Sequence, residues 1–138
     1  MTALSSDLTR AVEVPMRTIL LVEDETLVRM VTVDALHDLG FRVEEAASAS
    51  EALGKVGVLD GTIEAAIIDI GLPDRRGDAL ALEIRERFAR LPIVIASGYS
   101  ESSIEGLGSD ELVGFLGKPY DSKELTSVLD RLGVLTGS

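Results

Sequence analysis

Five polar side chains stand where an apolar run stops: Glu23 and Asp24 after TILLV, Asp69 after AAII, Ser97 after IVIA, and Lys118 just beyond LVGFL. Three acids, one hydroxyl and one ammonium form a chemically meaningful set if the fold brings them together. Two carboxylates about 4 Å apart repel by roughly 4 kcal/mol at an effective dielectric of about 20, so three crowded acids need a cation or must take up protons. Oxygen ligands without nitrogen or sulfur suit magnesium, which binds through one or two carboxylates and keeps several waters. A phosphoryl group can complete that shell, with Lys118 balancing a negative oxygen and Ser97 donating to another. An aspartate so placed can itself be the nucleophile and form an acyl phosphate, with positioning and electrostatics doing most of the catalysis.

Whether the five meet depends on the elements that carry them. Ala65 to Ile68 followed by Asp69 and a turn with Gly71, Pro73 and Asp74 reads as a strand buried on both faces of a parallel sheet, with Asp69 at its carboxyl end. Thr18–Val22 reads the same way, as do Ile93–Ala96 and Leu112–Leu116, while Phe41–Glu45 is polar enough for an edge. Between them lie helical patterns. Thr26–Leu39 repeats Leu27, Val28, Val31, Ala35, Leu36 and Leu39 at helical spacing and stops at Gly40. Ser48 and Glu51 have capping-box spacing ahead of a helix running to about Leu59, with Leu53 and Val56 inward. Gly77–Phe88 carries Leu80, Ile84 and Phe88; Ser100–Leu107 is the weakest element, with Ile104 as its one strong apolar anchor. A last helix opens at Asp121 and Glu124 and turns Leu125, Val128, Leu129 and Leu132 inward.

Strand and helix thus alternate five times, which predicts an α/β, doubly wound, five-stranded parallel sheet with helices on both faces. Its strand order, 2-1-3-4-5, is taken over from known domains of this kind. In such a sheet all carboxyl ends share one edge, so the five polar residues converge on one crevice. Each alone has an ordinary structural role, but their convergence does not.

At 138 residues the chain has the length of one domain. With aromatics at only 4% and no tryptophan, its core must be aliphatic. The absence of cysteine rules out disulfides and thiolate metal sites, and the single histidine rules out a multi-histidine site. A net charge of −11 opposes non-specific binding of nucleic acid. No apolar run approaches a membrane span, and the first twenty residues lack a signal-peptide pattern, so a cytoplasmic location is expected. Residues 1–15 read as a flexible tail with a short helix allowed over Leu8–Val14, and residues 16–136 as the folded domain, with no output domain expected.

As an ordered set, these motifs resemble the receiver domain of two-component response regulators, similar to single-domain chemotaxis-type regulators, over about Arg17 to Val134. The resemblance rests on Glu23 and Asp24, on DIGLPD around Asp69, on Ser97, and on the Lys118, Pro119 pair. It implies a flavodoxin-like receiver fold in which Asp69 accepts a phosphoryl group from a histidine kinase phosphohistidine or a phosphotransfer protein. It further implies that Asp24, Asp69 and the Gly71 carbonyl bind Mg2+ directly and that Glu23 acts mainly through water. By the same resemblance Lys118 contacts the phosphoryl group, Ser97 moves to hydrogen-bond it, Phe115 occupies the second switch position, and the Lys118–Pro119 bond is cis. A downstream protein partner would use the face formed by the fourth helix, fifth strand and fifth helix, and a homodimer is an open arrangement. The segment PIVIASGY is also similar to a subgroup whose fourth strand ends in Phe-Ala-Thr-Gly, with Ile95 in place of the phenylalanine.

Several positions depart from the commoner pattern. Glu23 is longer than the usual aspartate, Phe115 has no hydroxyl for an outward hydrogen bond, and Gly98 stands where alanine is frequent. Two other functions compete. An aspartate-nucleophile phosphatase of the haloacid dehalogenase type wants a second acid two residues after the nucleophile, where this chain has Gly71. A binding module without phosphorylation is the runner-up; its flavodoxin-like form is disfavoured because Glu23, Asp24 and Glu25 would repel a flavin phosphate. His37 is expected to be exposed and ordinary. Arg75 and Arg76 are expected to be solvated near the site, within reach of a kinase, and Tyr99 to cover the crevice or make a surface contact.

Overall fold

The computed structural model describes residues 17–59, 61–98 and 110–134. The expected tail, the expected helix over 100–107 and Tyr99 lie outside the described residues. Within them the chain runs β1 (Thr18–Val22), α1 (Thr26–Asp38), β2 (Arg42–Ala46), α2 (Ala49–Val58), β3 (Ile63–Asp69), α3 (Gly77–Arg87), β4 (Ile93–Ser97), β5 (Val113–Gly117) and α4 (Ser122–Arg131). The five strands form one sheet in the order β2-β1-β3-β4-β5, every pairing parallel. From β1 the chain steps outward to β2, then returns to β3 on the other side and continues away. The order therefore reverses between β1 and β3, and a crevice opens beyond their carboxyl ends.

β1 and β4 are buried along their whole length and β3 along its last five residues, as strands covered on both faces should be. Alternate residues feed two cores. Leu20, Val22, Ile68 and Ile95 pack with Val56 of α2 and Leu80 and Ile84 of α3; Ile19, Leu21 and Ile67 pack with Leu36 of α1 and Leu125 and Leu129 of α4. Each such fully buried aliphatic side chain contributes about 1.5–3 kcal/mol relative to exposure.

The helices follow the sequence with two exceptions, one at a cap and one on a face. α4 has a complete capping box: Asp121 accepts from the Glu124 backbone N–H and Glu124 from that of Asp121. At α2 only half of the expected box forms. Ser48 Oγ accepts from Glu51 N, but the Glu51 carboxylate accepts from Ala47 N, one residue upstream of the N-cap. A distant residue completes the cap, because the Asp74 carboxylate accepts from Ala49 N and Ser50 N at 2.9 Å each. These two bonds hold the Asp74 carboxyl below the usual carboxylate range and fasten the turn after β3 to α2.

The second exception is α1. Its expected buried stripe included Leu27, Val28 and Val31, yet Leu27 is 75% and Val31 66% exposed, with Met30 exposed beside them; Thr32 and Leu36 are its buried residues. The core covers the side of the helix that carries Thr32 and Leu36, with Ala35 and Leu39 of the expected stripe partly buried against it, while its Leu27 and Val31 end runs past onto a groove. His37 is exposed, as expected.

Gly77 opens α3 directly beneath the turn that follows Asp69. A Cβ built on it would stand 2.2 Å from the Asp69 carbonyl oxygen and 2.7 Å from Ile70 Cα, so two backbone segments touch where only glycine fits. Gly77→Ala is therefore expected to lower unfolding stability by about 1–3 kcal/mol, the range for overpacking a tight contact. Urea unfolding followed by circular dichroism checks this, and an unchanged midpoint would show that the turn gives way freely.

Candidate functional site

β1 ends at Val22, and the Glu23 N–H still reaches Ala46 O of β2 at 2.9 Å, which keeps Glu23 at the sheet edge with 2% exposure. Its carboxylate is shared. Oε2 accepts from Glu25 N at 3.1 Å and Oε1 from Lys118 Nζ at 3.1 Å. Asp69 is the last residue of β3, aligned with Ala96 of β4 and buried, and its Oδ1 also lies 3.1 Å from Lys118 Nζ. The ammonium bridges the two carboxylates, with Glu25 Oε1 at 3.6 Å on the outer side. Asp24 is exposed, yet carboxylate oxygens of Glu23, Asp24 and Asp69 all lie within 4.8 Å of one another.

Lys118 is positioned by β5 and by its own backbone. Its N–H donates to Ser97 O at 2.9 Å, and the Lys118–Pro119 peptide is cis, as the resemblance implied. Ser97 closes β4, buried, one residue beyond the partner of Asp69 and paired in register with Gly117. Gly71 lies against the Asp69 carboxylate, since a Cβ there would sit 3.7 Å from Asp69 Oδ2. Phe115 aligns with Ile95 and packs, half-buried, against the core on the α2 and α3 side. The structure thus brings Glu23, Asp24, Asp69 and Lys118 into one cluster, with Gly71 against Asp69, Ser97 at the adjoining strand end and Phe115 one layer below.

The electrostatics are those of acids crowded in a poorly solvated place. Burial raises the Glu23 carboxyl above its usual 4.5; the backbone bond from Glu25 opposes this, the Asp69 charge adds to it, and Lys118 only partly offsets it. For Lys118 burial alone would lower the ammonium, but the hydrogen bonds and charges of Asp69 and Glu23 carry it above its ordinary 10.5. Lys118 is therefore firmly charged while its carboxylate partners still compete for positive charge. All donors are hard oxygens and three carboxylates converge, so the set suits a small divalent cation such as Mg2+.

Sequence reasoning missed three neighbours. Arg29 of α1 donates from Nη1 to Glu23 O at 2.7 Å and pairs through Nε with Glu45 at 3.0 Å, clamping the acidic turn between α1 and β2. Thr32 Oγ1 and Tyr120 Oη lie 2.8 Å apart, joining α1 to the segment after Lys118. Asp74 fastens the other side of the crevice to α2. Arg29 reaches Glu45 sixteen residues on, and the other two contacts also join distant parts of the chain, so none leaves a local trace in the sequence. Arg75 and Arg76 are solvent-facing, as expected, but are tied to Glu83 and Asp78 of α3.

Beside the cluster a groove of about 750 Å³ runs between α1 and the start of α4, floored by Val28, Val31, Pro119 and Leu125. A second depression of about 440 Å³, lined by Val56, Leu59, Phe88 and Leu91, lies at the opposite, amino-end edge of the sheet, away from the carboxylates. No helix among the described residues is long and apolar enough to cross a membrane.

A doubly wound parallel sheet with an acid–lysine cluster at its switch point defines a class of α/β domains that bind ligands in the crevice beyond the strand ends. The comparisons make the class specific. The family model of the response regulator receiver domain matches residues 19–130, and the chain belongs to that family of two-component systems. It is 37% identical over 116 residues to the sensor kinase CckA of Brucella abortus and 36% identical over 118 residues to the two-component response regulator PhoP of Pseudomonas aeruginosa. The matched region is 83% of this chain in both cases, but 12% of CckA and 50% of PhoP. Among solved structures it is similar to the receiver domain of the hybrid histidine kinase CckA, at 35% identity and a TM-score of 0.71 over 83% of this chain and 98% of that one. It is also similar to the response regulator TrrA of Thermotoga maritima, solved with Mg(2+)-BeF, at 28% identity and a TM-score of 0.73 over 85% and 99% of the two chains.

Lys118→Met removes the cation between two buried carboxylates. At neutral pH it is expected to cost about 1–3 kcal/mol, the range for leaving buried polar groups unsatisfied. The sign follows from the carboxylates. With its pKa already above 4.5, Glu23 takes up a proton readily as pH falls, which removes the repulsion, so the gap to wild type narrows toward acid pH. Urea unfolding of both proteins at pH 7 and near pH 4.5 checks this, and a gap that widens in acid would contradict it.

Proposed function

We propose that this domain is a phosphorylation-controlled switch in which Asp69 accepts a phosphoryl group from the phosphohistidine of a histidine kinase or phosphotransfer protein. The observation that carries the reading is the Lys118 ammonium lying 3.1 Å from both Asp69 and Glu23, with Asp24 completing three converging carboxylates. In the reaction an Asp69 carboxylate oxygen forms the new P–O bond while the P–N bond to the donor imidazole breaks. The imidazole leaves with the electron pair and takes its proton from water. Glu23, Asp24, Asp69 and the Gly71 carbonyl are the groups that would hold Mg2+, which when bound neutralises charge building on the phosphoryl oxygens.

Lys118 pairs with the Asp69 carboxylate before transfer and with a phosphoryl oxygen afterwards, and the Ser97 hydroxyl donates to another. The domain assists its own phosphorylation and dephosphorylation rather than turning over a separate substrate. The apolar face of Leu27, Met30 and Val31 beside the crevice suits the donor protein, which must bring its histidine to Asp69. Output passes to a protein partner or to a further phosphotransfer step in the cytoplasm, through the face that contains β5 and α4. Phe115 answers the phosphoryl group by a change of burial.

Incubation with acetyl phosphate and Mg2+ is expected to add one phosphoryl group, read by intact mass spectrometry, and Asp69→Asn is expected to add none. EDTA should abolish uptake. Mg2+ alone should raise the melting temperature, since binding the folded state at a hundred times Kd stabilises it by about 2.7 kcal/mol. An Asp69→Asn protein that takes up phosphate as wild type does would remove Asp69 from the role of acceptor.

A further inference from the structure

The segment from Lys118 to Asp121 is held at three points. Its start hangs from Ser97 O through the Lys118 N–H, its end caps α4 through Asp121 and Glu124, and its middle is fixed by the 2.8 Å contact between Tyr120 Oη and Thr32 Oγ1. The first tie continues the β4–β5 pairing and the second belongs to the helix that follows the segment. The third reaches across to α1, whose Leu27, Val28 and Val31 line the groove beside the crevice.

Both hydroxyls are poorly solvated. Thr32 is 2% exposed, and Tyr120 packs its ring against the core on the α1 and α4 side. A phenylalanine at 120 would fill the same space but remove this hydrogen bond, leaving the outer ion pair of Lys118 with Glu25 as the polar tie to the start of α1. A buried Tyr hydroxyl needs a partner, and Thr32, the neighbour of Val31 in the helix, supplies it. We infer that the Thr32–Tyr120 hydrogen bond is a positioning contact that sets Lys118 against Asp69 and makes its placement depend on α1. Occupation of the exposed face of α1 and the stance of the lysine are then one mechanical variable: a protein seated on Leu27 and Val31 presses on the helix that fixes Tyr120. The inference rests on the reading of Asp69 as phosphoacceptor and adds to it two residues that touch neither phosphate nor metal.

The test compares wild type, Y120F, T32V, T32S and T32V/Y120F for the initial rate of phosphoryl uptake from acetyl phosphate with Mg2+, alongside urea unfolding of each. Y120F is the gentler change, since a Thr hydroxyl left alone can turn to a carbonyl of its own helix. Y120F and T32V are each expected to slow uptake about tenfold, and the double variant no further than either single one, as for groups acting through one contact. T32S, which keeps the hydroxyl, should restore uptake to within about twofold of wild type. A role in stability alone would track unfolding and give no rescue of rate. Where T32V lowers stability, Y120F decides. Uptake by Y120F at the wild-type rate, or losses that multiply in the double variant, would overturn the inference and leave the acceptor reading standing. No uptake by wild type would overturn that reading, and this inference with it.

Discussion

A single ammonium shared by two buried carboxylates is the constraint around which this domain is built. Glu23 and Asp69 leave adjacent strands at the point where the strand order reverses, and Lys118 comes from the far strand to meet both. Removing such charges from water is costly, and the attraction offsets it only when geometry is held closely. That requirement explains the supports around the cluster. Gly77 permits a backbone contact under Asp69, Arg29 clamps the Glu23 carbonyl, Asp74 fastens the turn after β3 to α2, and the Lys118 N–H hangs from β4.

The fold was legible because its signals are local. TILLV, AAIID and PIVIAS are continuous apolar runs with abrupt polar ends, and the observed strands stop where those ends lie or within a residue. Glu23, Asp24, Asp69, Ser97 and Lys118 could be picked out for the same reason, since parallel strands put every carboxyl end on one edge. What did not show was which partner each helix face would find. Glu51 has the spacing of a capping-box acid but turns to Ala47, because Asp74, 23 residues further along the chain, already holds the first turn of α2.

The misread face of α1 is the most informative difference. Periodicity reports that a helix has an apolar stripe, not that the domain itself covers it. Here Thr32 and Leu36, with Val33, Ala35 and Leu39 beside them, seat the helix on the core, and Leu27, Met30 and Val31 remain outside. Exposed aliphatic residues grouped beside the carboxylate cluster gain hydrophobic stabilisation only against a second molecule. A domain whose proposed chemistry requires a donor protein gains from such a surface, because orientation of the donor histidine then comes from burial rather than from charge. A chain with a net charge of −11 would otherwise repel an acidic phosphate-bearing partner at distance.

Under the proposed function, the same cluster sets what must happen once Asp69 carries a phosphoryl group. Three carboxylates already outnumber the one ammonium, and the addition brings a further charge of about −1.5 to −2. Lys118 cannot neutralise Glu23 and the phosphoryl oxygens as fully as it neutralised two carboxylates. Compensation has to come from a divalent ion at the acids and from hydrogen-bond donors close by. Ser97 stands at the end of the strand next to Asp69, and its own carbonyl holds the Lys118 N–H, so β4 and the lysine segment are already linked at that point. Any turn of Ser97 toward the phosphoryl group is then felt in the backbone that positions Lys118, and through Tyr120 in α1. The α1 helix, Asp69 and the segment that leads into α4 are joined through Lys118 and Tyr120 by short polar contacts at one edge of the sheet.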